Sequence, residues 1–123
     1  MKQARLASLA SETVAATQRR LPREILELAR AVPVHLQARP DADLLAEGLE
    51  PDLLGLFTGS SYGAEASGGD PMPPQIHLFT ANIWDYAERD EAAFRSEVRL
   101  TYLHELGHYL GWDEDQIAER GLD

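Results

Sequence analysis

His104 and His108 stand four residues apart with Glu105 beside the first, and this spacing constrains the fold more than any other feature of the chain. Residues four apart on an α-helix lie one above the other on one face, so the two imidazoles converge only where the backbone is helical. Each residue turns the helix by about 100°, which sets Glu105 at the flank of the same face. The apolar residues Leu100, Leu103, Leu106 and Leu110 fall on the opposite or flanking face and are expected to press the helix onto a sheet. Gly107 inside such a helix costs roughly 1 kcal/mol relative to alanine, which points to close backbone packing there. Gly111 supplies a left-handed residue to end the helix. The rest of the fold must therefore build a platform that carries this helix with its His face turned outward.

The chemistry follows from the residue types. Two imidazoles on one helical face can grip one cation at about 2.0–2.1 Å, while the adjacent carboxylate hydrogen-bonds the water on that cation. A metal lowers the pKa of such a water towards ~7, and Glu105 is placed to take its proton as a general base. The chain has no cysteine, so disulfides, thiolate metal sites and cysteine nucleophiles are excluded and any metal is held by His and carboxylate. The turn at Gly111 delivers acids for a third ligand. Glu114 is the first choice, Asp115 the second, and Asp113 and Glu119 compete. Three such ligands leave one position open, as a catalytic zinc site requires. Two His and one carboxylate also suit non-haem Fe(II), but a neighbouring glutamate able to activate water favours Zn²⁺. Asp113, Glu114 and Asp115 also serve as favourable charges at a helix N-terminus.

The remaining periodicities predict an α+β fold. Leu6, Leu9, Ala10, Thr13, Val14 and Thr17 predict a helix near residues 3–19, and Pro22 suits the first turn of a second helix. Val32, Val34 and Leu36 alternate as a strand that Pro33 assigns to an edge or a strand start, with His35 pointing outward as a structural or solvent-facing residue. Residues 41–52 hold one helical turn. Leu54–Thr58 and Ile76–Thr80 are two further strands, separated by a long loop rich in Gly, Ser and Pro that carries no phosphate-binding fingerprint. Asn82 starts a short helix whose Trp84 and Tyr86 are expected to pack onto the protein. Asp90 caps a long helix over 91–110, and Asp113 with Gln116 forms a capping box for a last short one. Glu97 and Thr101 share the helical face of His104, as second partners of the site or as an exposed face.

The 123 residues fit one compact domain, 1–123, with 44% hydrophobic and 26% charged residues. A net charge of −10 opposes binding to nucleic acid and to anionic membranes. Lys2, Arg5, Glu12, Arg19 and Arg20 interrupt any signal-peptide core, and no apolar stretch is long enough to span a bilayer, so a cytoplasmic protein is expected. Nothing in the sequence marks an oligomeric state.

The segment from His104 to Asp115, so close to the C-terminus, resembles the motif of the minimal zincin-like zinc metallopeptidases, sometimes grouped with the minigluzincins. The resemblance extends to Pro22-Arg23-Glu24, Leu53-Leu54-Gly55-Leu56-Phe57, Pro74-Gln75-Ile76-His77-Leu78 and Trp112-Asp113-Glu114-Asp115. It implies a small mixed sheet packed against helices, with the motif helix beneath it. It implies Zn²⁺ on His104 and His108, a general base at Glu105, and an acid after Gly111 whose type varies in the group. It also implies a peptide or protein substrate, paired in extended form with the edge strand next to the motif helix, here expected at Ile76–Phe79. Larger zincins stabilise the oxyanion from a further subdomain; here the candidates are Tyr62 and His77. The leading expectation is a zinc peptidase. A catalytically weak peptide-binding module and a regulatory protease with one protein partner are the alternatives.

Overall fold

A computed structural model describes residues 1–63 and 72–119, with the side chains of Glu114 and Ile117 outside the description. The chain runs through α1 (Gln3–Arg19), α2 (Arg23–Ala29), β1 (Val34–Gln37), α3 (Ala42–Ala46), β2 (Gly55–Thr58), β3 (Gln75–Phe79), α4 (Thr80–Tyr86), α5 (Glu91–Tyr109) and α6 (Glu114–Glu119). It is an α+β fold built on a three-stranded mixed sheet.

Local chemistry sets the element ends. Asp41 accepts from the Leu44 amide at 2.9 Å and Asp90 from the Ala93 amide at 2.9 Å, so α3 and α5 each start on an aspartate cap. Pro22 sits one place before α2, where its carbonyl accepts from the Leu26 amide at 2.9 Å. Helix α5 closes as predicted, with Gly111 at φ 81°. The Trp112 amide reaches the Gly107 carbonyl at 3.0 Å and the Gly111 amide the His108 carbonyl at 3.0 Å, the two bonds of a Schellman turn. The chain then re-enters a helix through the expected capping box. The Asp113 amide donates to Gln116 Oε1 at 2.9 Å, and the Gln116 amide to Asp113 Oδ1 at 2.8 Å.

The strand order is β1-β3-β2. β1 runs parallel to β3 with His35 opposite His77, and β2 runs antiparallel with Gly55 opposite Leu78 and Leu56 opposite His77. Pro33 suits β1, which is an edge strand. β3 is the central strand and has no free edge, so the expectation that Ile76–Phe79 receives a peptide is corrected. The edge beside α5 belongs to β2.

Side chains alternate across the strands, and Ile76 and Leu78 turn into the core with Leu9, Phe94, Val98, Tyr102 and Leu106. These residues come from α1, β3 and α5, so the sheet and α1 clamp the motif helix from two sides. Thr13 and Thr17 are buried on α1 and donate to the carbonyls of Leu9 (2.7 Å) and Thr13 (2.8 Å), which satisfies both hydroxyls. Tyr102 crosses the core to α1, where the Gln18 side chain donates to its hydroxyl at 2.9 Å. Burial raises the pKa of that phenol, and the hydrogen bond from Gln18 opposes the rise.

Candidate metal centre and the groove beside it

Helix α5 brings His104 and His108 together: their Nε2 atoms lie 3.1 Å apart, with the rings edge to face at a centroid separation of 4.7 Å. Two nitrogens bound to one tetrahedral zinc at about 2.05 Å stand about 3.3 Å from each other, so the observed spacing is that of a chelating pair. The same spacing also allows a direct ring-to-ring hydrogen bond. The donor set fits zinc as two of its ligands. Glu114 opens α6, two residues past the α5 turn, but its side chain is outside the described residues. Among the described residues no third His, Asp or Glu joins the pair. Asp113 spends its carboxylate on the α6 cap, and Asp115 and Glu119 are exposed.

Glu105 lies against β2. A methyl group built on Gly55 would stand 2.6 Å from Thr101 Cγ2 and 3.4 Å from Glu105 Cγ. The helix and the strand therefore touch where β2 has no side chain, and that contact sets how far Glu105 stands from the edge of the sheet. Thr101, expected as a partner or an exposed residue, is buried in this contact.

A groove of about 450 Å³ opens beside the His pair. Leu53, Leu54 and Gly55 form one wall, and Glu97, Leu100, Thr101, His104 and Glu105 the other. Tyr86 also lines the groove with 64% of its surface exposed, so the expectation that it packs onto the protein is corrected. Trp84 does pack, edge-on to Phe94 at 5.8 Å. Leu103 and Leu106 are buried as predicted, whereas Leu100 is half-buried and lines the groove. The Leu53–Leu54 wall is pinned from behind. Buried Asn82 donates to the carbonyls of Pro51 (2.8 Å) and Leu53 (2.9 Å), and accepts from Arg39.

The two oxyanion candidates separate. His77 lies between buried Ile76 and Leu78 and points to the opposite face of the sheet, away from α5. There it stacks on His35 at 5.1 Å, approaches Thr58 Oγ1 at 3.4 Å and leaves Nδ1 buried without a partner among the described residues. Burial, then the neighbouring His35, lower its pKa, and Asp41 opposes them. Tyr62 stays on the side of α5. Its amide donates to the Tyr109 carbonyl at 2.7 Å and its ring meets that of Tyr109 edge-on at 6.2 Å.

The sequence matches the family model of zincin-like metallopeptidases over residues 29–122, and the chain belongs to that family. Membership makes zinc the expected metal and a peptide or protein the expected class of substrate. A search of curated proteins finds no match. No helix among the described residues is long and apolar enough to cross a membrane.

Proposed function

We propose that the protein is a zinc-dependent peptidase in which His104, His108 and Glu114 hold the metal and Glu105 is the general base. The observation that carries this reading is the 3.1 Å approach of the two Nε2 atoms at the rim of a peptide-sized groove. Glu114 is supported by its place ten residues after His104 and by the engagement or exposure of its neighbouring acids. When bound, zinc supplies a Lewis acid that polarises the scissile carbonyl and acidifies the attacking water. Glu105 takes the proton of that water and passes it to the leaving amine. The outer edge of β2 pairs with the extended peptide, because β3 is enclosed on both sides. Tyr62 donates to the oxyanion from the side of Tyr109.

Elemental analysis of protein purified with added zinc tests the site. One zinc per chain is expected, lost in His104→Ala and in His108→Ala. Glu105→Gln keeps the metal and lowers peptide turnover by about 10²–10⁴-fold, and Tyr62→Phe keeps the metal and lowers it by about 10²-fold. Zinc retained after loss of both histidines would overturn the metal site. Unchanged turnover in Glu105→Gln would leave a peptide-binding module without this chemistry.

A further inference from the structure

We infer that the groove beside the His pair selects a basic side chain, arginine above lysine, next to the bond that is cut. The inference rests on the peptidase reading for the position of that bond, and on the groove itself for the selectivity. Glu97 lies on the same face of α5 as His104, seven residues before it. Seven residues of helix are about 10 Å, a span that a long side chain covers from a residue adjoining the scissile carbonyl.

The groove offers three features that suit one occupant. Leu53, Leu54 and Leu100 line its length with apolar surface, which suits the methylene stem of an arginine or lysine. Glu97 is half-buried in the same wall, and no cationic side chain among the described residues pairs with it. Glu24, Glu47 and Glu88 also hold no arginine, but they are exposed, whereas Glu97 is half-buried where it lines the groove. Tyr86 presents an exposed ring to the same groove, where a guanidinium can stack. Arginine matches both partners at once, because its planar fork binds a carboxylate edge-on and stacks face-on, whereas lysine offers a point charge. The net charge of −10 further favours the approach of a basic peptide.

A wholly apolar side chain would leave the Glu97 carboxylate facing it without a partner, and an acidic one would be repelled. The Asn82 bonds to the Pro51 and Leu53 carbonyls hold the opposite wall in place, so the width of the groove is set before substrate arrives.

The test separates selectivity from catalysis. Fluorescent peptides that differ only by arginine, norleucine or glutamate at one position are titrated by anisotropy against full-length Glu105→Gln protein loaded with zinc. The arginine peptide is expected to bind about tenfold more tightly than the norleucine peptide, the scale of one partly exposed charged hydrogen bond. Glu97→Gln should erase that difference, and Glu97→Arg should turn the preference to the glutamate peptide. Equal binding of the three peptides, no binding of any, or a preference that survives Glu97→Gln would overturn the inference. Turnover of the same peptides by the unaltered protein reads the other question. Discrimination in binding without cleavage would end the peptidase reading and leave the selectivity of the groove standing.

Discussion

Gly55 shows how one missing side chain positions the site. A Cβ there would press to 2.6 Å on Thr101 Cγ2, far inside van der Waals contact, and would also reach the stem of Glu105. Gly55→Ala is therefore expected to destabilise the protein by about 1–3 kcal/mol, the usual range for overpacking, and to move Glu105 away from the strand. Removing the opposing methyl with Thr101→Ser should restore most of the loss. Thermal melts of the two single variants and the double variant measure the coupling; strictly additive losses would mean that the contact does not set the spacing. The sequence marks Gly55 only as a weak strand residue. Its partner lies 46 positions away, at a distance that no local pattern encodes.

At the scale of elements, the β1–β3 ladder carries a pH dependence. His35 and His77 are register partners on parallel strands and stack on the sheet face away from α5. Burial and the His35 neighbour hold the His77 pKa below its ordinary value of 6.5, with Asp41 opposing. The unfolded chain thus binds the proton first as pH falls. The stability due to a neutral His77 is present above about pH 6.5 and is lost as pH falls through the lower folded pKa. Denaturant midpoints measured at about pH 7.5 and about pH 5.5 should drop in the unaltered protein and drop less in His77→Val; parallel drops would assign the effect to other groups. The strands themselves were legible from alternation, but not their order. Val34–Gln37 and Gln75–Phe79 are about forty residues apart and pair in parallel, so β3 becomes central through a hydrogen-bond ladder that the sequence pattern of each strand leaves open. That single fact moves the available edge from β3 to β2 and turns His77 away from the metal pair.

For the whole molecule, the first helix, α1, lies outside the family match and is part of the core. The match begins at residue 29, yet α1 buries Leu6, Leu9, Ala10 and Val14 against α4 and α5. Exposing the three larger side chains costs about 2 kcal/mol each, with a similar loss on the facing residues, and the sum reaches the typical 5–15 kcal/mol of total stability. A chain lacking residues 1–20 is expected to show no cooperative thermal transition by circular dichroism. A sharp transition in that truncated chain would show that the matched segment folds without α1.

The sequence by itself determined what depends on neighbours along the chain. The bounds of α1 and α5, the Asp90 cap, the Schellman turn at Gly111, the Asp113–Gln116 box and the convergence of His104 on His108 all arise from interactions within about four residues, which the order of side chains specifies directly. Tertiary structure alone decided the strand order, the contact of Gly55 with Thr101, the exposure of Tyr86 and the groove that joins Leu53 to Glu97. Each of these needs groups far apart in the chain to meet, and such meetings are set by how the apolar faces of α1, β3 and α5 close on one another rather than by any single segment.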